Sequence, residues 1–139
     1  MPSHFAELAQ ASKSARVDAA GLAEALRGQI RGEIRFDRGT RALYSTDGSN
    51  YRQIPIGLVI PLDEQDVIAT VAACRAFDAP ILSRGAGTSL AGQACNAAVI
   101  LDFSKYMNAI GEVDLTNNTM RVQPGAAAPT CFDQIFAYF

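Results

Sequence analysis

Apolar residues recur at four-residue steps near the start of the patterned part of the chain: Leu22, Leu26 and Ile30. This spacing predicts an amphipathic helix that follows an N-cap at Asp18 and ends at Gly32. Residues 1–17 are polar and rich in alanine, and they predict a helical lead-in. Residues 33–37 alternate between apolar and charged side chains, which is typical of a half-buried strand.

Three short apolar segments follow in the middle of the chain: residues 57–61, 80–85 and 96–104. Each segment predicts a strand; 57–61 is fully apolar, and 96–104 is apolar enough to be buried on both faces. A helix is predicted between the first two segments, with Asp63 as its N-cap. Its buried face is predicted at four positions: Val67, Ile68, Val71 and Cys74. Strand, helix and strand within about thirty residues predict a right-handed crossover and a parallel pair of strands.

The remaining segments complete the predicted fold class. Residues 38–55 are polar and rich in turn formers, and they predict an irregular loop. Residues 109–115 and 119–125 flank a turn at 116–118 and predict a β-hairpin. Residues 129–139 resemble the opening of another helix or strand, and their apolar end suggests a truncated chain. The predicted fold is α+β, with a small parallel β-α-β subdomain followed by the start of an antiparallel sheet.

Composition limits the classes of protein that remain. The 139 residues include 12 Lys and Arg against 14 Asp and Glu, so the net charge is −2 and a nucleic-acid partner is not expected. No stretch approaches the ~20 apolar residues of a spanning helix, and no signal peptide is recognisable. We therefore expect a soluble, cytoplasmic protein. Two parts are predicted, a helical lead-in over 1–32 and a domain over 33–139 that is incomplete at its C-terminus.

The cysteines and the single histidine, His4, are too few and too widely spaced for a metal site. Cys74 is predicted to lie in the core, and Cys95 is predicted to be a small buried filler. The odd number of cysteines fits a reducing compartment. Asp102, at the end of the third apolar segment, is interpreted as a cap or turn former.

The most informative motif is the glycine loop, residues 84–93 (RGAGTSLAGQ), which follows the second apolar segment. Its glycines, Gly85, Gly87 and Gly92, allow positive φ angles and close approach of a ligand to the backbone. Successive backbone N–H groups in such a turn form a concave site for anions, here a phosphate or diphosphate. A glycine-rich turn that serves only tight packing is the alternative.

The loop matches neither of the two common nucleotide motifs. Gly87 and Gly92 have the glycine spacing of a Walker A loop, but Gln93 stands where that motif requires lysine. Leu90 occupies the third glycine position of a dinucleotide-binding fingerprint. The glycine content alone therefore does not identify the ligand.

A wider run of sequence resembles a known family. It comprises YSTDGSNYRQIPIGLVIP, DVIATVAACRAFDAPILSRGAGTSLAGQ, VILDFSKYMNAI and VQPGA, within residues 30–128. This run is similar to the FAD-linked oxidases and dehydrogenases of the vanillyl-alcohol oxidase (PCMH-type) fold, in the branch of D-lactate dehydrogenases and glycolate oxidase subunits. The resemblance implies that FAD is the cofactor and that a 2-hydroxy acid is the substrate of the full-length protein.

The resemblance also implies which residues bind FAD. Six would contact its diphosphate: Arg84, Gly85, Ala86, Gly87, Thr88 and Ser89. Gly92 and Gln93 would continue the wall of the site, and Pro124 and Gly125 would approach from the second subdomain. Thr88 occupies the position at which some members carry a flavin-linked histidine, so non-covalent FAD is expected. The catalytic residues of the family lie downstream, and none is assigned here.

The residues also leave alternatives open for single side chains, for the function and for the ligand. A salt bridge from Arg84 to a carboxylate is the alternative to a phosphate contact, and a structural role is favoured for Asp47, Tyr51 and Arg52. A cofactor-free association module that pairs through an exposed sheet edge is the alternative function. A third candidate function is the binding of a diphosphate nucleotide other than FAD. A homo-oligomer or a missing C-terminal domain would complete the molecule. The isolated chain is expected to bind FAD weakly or not at all, and to be inactive.

Overall fold

The computed structural model describes residues 17–128 and residue 131. The helices are α1 (Ala19–Arg27), α2 (Arg38–Leu43) and α3 (Glu64–Ala76). The strands are β1 (Glu33–Arg35), β2 (Gly57–Ile60), β3 (Ile81–Arg84), β4 (Val99–Asp102), β5 (Ile110–Asp114) and β6 (Thr119–Val122). The predicted α+β class is confirmed.

The first four strands form one sheet in the order β1-β2-β4-β3. β2 and β3 both run parallel to β4, and β1 pairs with β2 in the antiparallel direction. Strand β4 therefore lies between the two strands that flank α3. Since Ile81 pairs with Val99 and Arg84 pairs with Asp102, residues 85–98 must return from the carboxyl edge of β3 to the amino edge of β4.

The main core lies between this sheet and the helices α1 and α3. Its fully buried side chains include Leu22 and Leu26 from α1, Val59 from β2 and Leu101 from β4. The opposite face of the sheet carries a smaller cluster: Leu58, Ile60 and Ile100, with Tyr44 and Leu82 packed against it. The helix predicted from the four-residue spacing of Leu22 and Leu26 is thus confirmed, and both side chains belong to the main core.

Helix α3 begins after the predicted N-cap, but its buried face differs from the prediction. Asp63 accepts hydrogen bonds from the N–H groups of the first turn, as predicted. Ile68 and Val71, predicted to be buried, are 61% and 45% exposed. The buried residues are Asp66, Thr70, Ala73 and Cys74. Two polar residues occupy this face because their hydrogen bonds are satisfied within the protein.

The buried face of α3 includes the carboxylate of Asp66, which no apolar pattern predicts. This carboxylate is 2% exposed and accepts hydrogen bonds from the backbone N–H groups of Arg31, Gly32 and Leu62 at 2.9–3.0 Å. The hydroxyl of Thr70 donates to the carbonyl oxygen of Asp66 at 2.7 Å. A carboxylate that joins two loops can be buried without an ionic partner when several N–H groups point at it.

Two further elements differ from the sequence prediction. The first helix ends at Arg27, with Gly28 as its C-cap, before Gly32. Helix α2 lies inside the predicted irregular loop and begins after an N-cap at Asp37. It buries no residue, so it lacks the apolar period that a sequence pattern would show.

The hairpin of β5 and β6 forms a separate two-stranded antiparallel sheet, as predicted. The predictions for residues 1–16 and 129–139 lie outside the described residues, apart from Cys131. Within the described residues, no helix is long and apolar enough to cross a membrane.

Candidate anion-binding site

The glycine loop leaves the carboxyl edge of β3, the edge at which parallel sheets bind ligands. Within the described part of the chain, the backbone N–H groups of residues 85–90 donate to no protein acceptor. The loop residues are half-buried or exposed, so these N–H groups lie close to solvent. A run of unpaired N–H groups in a curved backbone is the arrangement that binds phosphate oxygens.

Two glycines of the loop have backbone angles that favour glycine. Gly87 has φ +70° and Gly92 has φ +77°. A Cβ at Gly87 would lie 2.4 Å from the Nη2 atom of Arg84, and one at Gly92 would lie 2.8 Å from the ring of Tyr51. Both predictions of positive φ are confirmed, whereas Gly85 has no such angle. The loop is therefore fixed by contacts from behind as well as by its own backbone.

Arg84 supports the loop through backbone carbonyl groups. Its Nη1 donates to the carbonyl oxygens of Thr46 at 2.9 Å and Ala94 at 2.8 Å. The guanidinium lies 5.0 Å from the centre of the Tyr44 ring, a cation–π contact. Among the described residues it forms no salt bridge, so the carboxylate alternative is wrong. Its Nη2 lies beside Gly87, on the side where a Cβ would point.

Asp47 connects the neighbouring segment to the end of the loop. One carboxylate oxygen accepts from the N–H and the hydroxyl of Ser49 at 2.9 and 2.5 Å. The other accepts from the N–H of Ala94 at 3.1 Å. These bonds, with the hydroxyl of Ser49 first, lower the pKa of Asp47 below its ordinary value, so it is ionised at neutral pH.

The segment of residues 44–52 also contacts the loop through its backbone. The N–H of Gly48 donates to the carbonyl oxygen of Gly87 at 3.0 Å. A Cβ at Gly48 would lie 3.0 Å from the carbonyl oxygen of Ser89. Residues 44–52 therefore pack directly against the back of the glycine loop, which supports the structural role predicted for Asp47 and Tyr51.

Ser89 and Gln93 stabilise the turn at the far end of the loop. The hydroxyl oxygen of Ser89 accepts from the N–H of Gln93 at 3.2 Å, and its hydroxyl donates to the side-chain oxygen of Gln93. The hydroxyl of Thr88 forms no hydrogen bond within the described residues, and Ala86 is exposed. Thr88 and Ala86 therefore present free surface, whereas Ser89 and Gln93 are partly used by the loop.

Pro124 and Gly125 lie next to the start of the loop, as the resemblance implied. The carbonyl oxygen of Pro124 is 3.7 Å from the position of a Cβ at Gly85. The N–H of Gly125 donates to the carbonyl oxygen of Met107 at 2.9 Å, and its α-carbon packs against the backbone of Phe103. Gly85 and Pro124 thus lie close together, and Gly125 is held against the backbone that follows β4.

The end of β4 contributes a polar pair behind the site. Asp102 is 4% exposed and accepts from the N–H of Ser104 at 2.8 Å and from the Tyr44 hydroxyl at 2.6 Å. The turn-forming role predicted for Asp102 is confirmed. Burial and the Asp102 carboxylate raise the pKa of Tyr44 to about 12, so this hydroxyl stays protonated.

The two cysteines assigned to the interior are buried, as predicted. Cys74 is 0% exposed and belongs to the main core, and burial raises the pKa of its thiol to about 11. Cys95 is 5% exposed, and burial raises its pKa as well. Neither thiol is suited to nucleophilic chemistry at neutral pH.

The contacts of Tyr44 and Gly48 with the loop were missed by the sequence analysis. Tyr44 lies 40 positions before Arg84, and no local period connects the two. The Asp47-Gly48 pair indicated a turn, but its partner in the fold was not recognisable. Among the described residues, the N–H groups of 85–90 have no acceptor and the Arg84 guanidinium has no carboxylate partner, an arrangement that can bind a phosphate or diphosphate.

Comparison with known proteins agrees with this chemistry. The family described as "FAD binding domain" matches residues 55–135. The chain is 39% identical over 106 residues to D-2-hydroxyglutarate dehydrogenase of Pseudomonas putida, covering 73% of this chain and 10% of that protein. It is 34% identical over 102 residues to a glycolate oxidase subunit of Bacillus subtilis, covering 70% of this chain and 22% of that protein.

The fold is also found among solved structures. The structure of p-cresol methylhydroxylase matches with a TM-score of 0.66 and 20% identity, over 86% of this chain and 24% of that chain. This likeness confirms the PCMH-type fold predicted from the sequence. The chain spans about a tenth to a fifth of the length of the two curated relatives.

Proposed function

This chain belongs to the FAD binding domain family, and from that premise we propose that it forms the diphosphate-binding part of a flavin-dependent oxidoreductase acting on a 2-hydroxy acid. Two relatives, named for D-2-hydroxyglutarate and for glycolate, support this substrate class, because both compounds are 2-hydroxy acids. Bound FAD would supply the hydride acceptor for oxidation of the substrate carbon that bears the hydroxyl group.

The observation that carries the proposal is the run of N–H groups over residues 85–90 that have no acceptor among the described residues. Three or four such groups on a diphosphate supply roughly 5–10 kcal/mol, since each charge-assisted hydrogen bond contributes about 1.5–3 kcal/mol. Ordering the ligand costs at least about 4 kcal/mol. The remaining roughly 1–6 kcal/mol corresponds to a Kd no tighter than about tens of micromolar for the described site alone.

The roles within the site follow from what each group faces. The backbone at Gly85, Ala86 and Gly87 would donate to the diphosphate, and the Thr88 hydroxyl would add a donor. Arg84 would attract the diphosphate through its positive charge, while its Nη1 holds the two carbonyl groups behind the loop. Ser89, Gly92 and Gln93 would shape the wall, and Pro124 and Gly125 would close the side next to Gly85.

We propose non-covalent attachment, because Thr88 offers no imidazole for a flavin bond. The free thiols of the three cysteines support the expected reducing, cytoplasmic compartment. The described residues hold only part of a cofactor site, and we propose that a C-terminal domain or a second copy of the chain supplies the rest. We also propose that the chain consists of a helical lead-in over 1–32 and a cofactor-binding domain over 33–139.

The alternative function, a cofactor-free association module, has less support. It would require the loop to serve packing alone, whereas six consecutive residues leave their N–H groups unpaired within the described part of the chain. The match of the FAD binding domain family over residues 55–135 also favours cofactor binding over packing alone. We therefore favour the flavin-binding function.

A titration with four ligands tests the proposed function. FAD and ADP should bind the chain and compete with each other, FMN should bind more weakly, and riboflavin, which lacks phosphate, should not compete. In amide NMR spectra, the signals of residues 85–90 should shift with ADP, while those of the hairpin turn at 115–118 stay in place. Tight binding of riboflavin, or ADP binding that leaves the loop signals unchanged, would contradict the proposal.

A further inference from the structure

Ala94, which follows the glycine loop, is held at both of its backbone polar groups. Its N–H donates to a carboxylate oxygen of Asp47 at 3.1 Å, and its carbonyl oxygen accepts from Arg84 at 2.8 Å. Arg84 also bonds the carbonyl oxygen of Thr46, the residue before Asp47. Residues 46–47, 84 and 94 thus form a closed ring of contacts behind the loop.

The bonds of Asp47 divide cleanly between its two oxygens. Oδ1 holds the local turn through Ser49, and Oδ2 is left for Ala94, 47 positions away. The N–H of Gly48 then bonds the carbonyl oxygen of Gly87, in the middle of the loop. Both the middle and the end of the glycine loop are therefore attached to the turn that Asp47 shapes.

We propose that Asp47 is a positioning residue of the anion site, which holds the glycine loop open so that the N–H groups of residues 85–90 face a ligand. This inference rests on the proposed function and extends it to a residue outside the loop. The role is unexpected on charge alone, because a carboxylate beside an anion site repels the ligand that the site binds.

Because of that repulsion, the direction of the change in ligand affinity distinguishes the two possible roles of Asp47. If Asp47 acted on the ligand only through its charge, removing the carboxylate would tighten the binding of FAD and ADP. If it acts by holding the loop, its removal should weaken the binding of both. The two effects oppose each other, so the direction of the change identifies the role.

The main comparison uses Asp47→Ala and the matched control Asp37→Ala. Asp37 also accepts from the N–H and the hydroxyl of a nearby residue, Thr40, but it forms no hydrogen bond with the glycine loop. We expect Asp47→Ala to weaken FAD and ADP binding by about tenfold, as for the loss of one hydrogen bond to a charged group. Asp37→Ala should leave both affinities within about twofold. Equal or tighter binding by Asp47→Ala would overturn the proposal.

Amide hydrogen exchange of the ligand-free 139-residue chain gives a second readout. Asp47→Ala should speed exchange at Ala94 by about tenfold and shift the signals of 85–94, whereas Asp37→Ala should do neither. If Asp47→Ala does not fold, Asp47→Asn is measured in its place, with Asp37→Asn as the control. Loop signals that stay unchanged overturn the positioning role. If the unsubstituted chain binds neither FAD nor ADP, the proposed function fails, and exchange at Ala94 alone decides this inference.

Discussion

At the scale of single residues, the site is defined by which polar groups are used and which are left free. Arg84 and Asp47 form hydrogen bonds with groups of residues 46–49 and 94, whereas the N–H groups of residues 85–90 have no acceptor in the part of the chain that the structure describes. A rigid support with a free inner surface binds an anion with little reorganisation. The sequence identified the free surface but not the support.

The positive φ angle at Gly87 leads to the first prediction. Gly87→Ala should lower the free energy of unfolding by about 1–2 kcal/mol, because a Cβ is disfavoured in the left-handed region. The Cβ would also displace the Arg84 guanidinium. Gly85→Ala is the matched control, since its Cβ would meet nothing closer than 3.7 Å. Urea unfolding of both variants measures the difference, and equal losses of stability would contradict the assigned backbone angle.

The second prediction concerns Glu33 on β1. Hydrogen bonds from Lys105, Tyr106 and Arg35 lower its pKa from 4.5 to about 2. A carboxyl with a lowered pKa in the folded state stabilises the protein above its ordinary pKa and loses this effect as the pH falls from about 4.5 to about 2. Glu33→Gln should therefore be less stable than the unsubstituted chain at pH 7, and this gap should narrow on acidification.

Unfolding by urea at pH 7, 4 and 3 measures the gap. The control is Glu112→Gln, at an exposed position that forms no side-chain hydrogen bond within the described residues. A gap between Glu33→Gln and the unsubstituted chain that stays constant from pH 7 to pH 3 would exclude this coupling.

At the scale of elements, hydrogen bonds between two loops connect helix α3 to the segment that follows α1. Asp66 links the loop before β1 to the loop before α3 through its three N–H partners. Gly32 fits there because a Cβ would lie 2.3 Å from the carbonyl oxygen of Ile60. The two loops therefore pack at backbone distance.

The third prediction compares two neighbouring carboxylates. Asp66→Asn should lower the free energy of unfolding by roughly 2–4 kcal/mol, because an amide cannot accept all three N–H bonds and leaves buried donors unpaired. Asp63→Asn should lose less than about 1 kcal/mol, since asparagine is also a good N-cap. Thermal and urea unfolding of the two variants give the comparison, and similar losses would show that the buried carboxylate has no special role.

These elements also show what the sequence could predict. The N-cap at Asp63, the strands and the hairpin depend on local patterns, and they were predicted correctly. The buried face of α3 was wrong because Thr70 and Asp66 satisfy their polar groups through contacts that no apolar period reveals. Helix α2 was missed because it buries nothing. Within the site, the glycine loop was recognisable, whereas the bond from Asp47 to Ala94 joins residues 47 positions apart.

At the scale of the whole molecule, the fourth prediction concerns stabilisation by ligand. At FAD concentrations of about ten times Kd, the free energy of unfolding should rise by about 1.4 kcal/mol. The melting temperature should rise by roughly 3–8 °C for a chain of this size. ADP at the same multiple of its own Kd should have the same effect. Differential scanning fluorimetry with riboflavin as the control measures the shift, and a rise that is equal with riboflavin would contradict a diphosphate site.

The route of residues 85–98 ties ligand binding to the architecture of the sheet. This stretch is the only covalent path from edge strand β3 to β4, and β4 sits between β3 and β2. Strand β4 is buried along its whole length and paired on both sides, so packing and hydrogen bonds hold its register. The glycine loop thus belongs to a connection whose two ends are anchored in the sheet, and substitutions between these ends can alter the candidate anion site while the strand pairing stays in place.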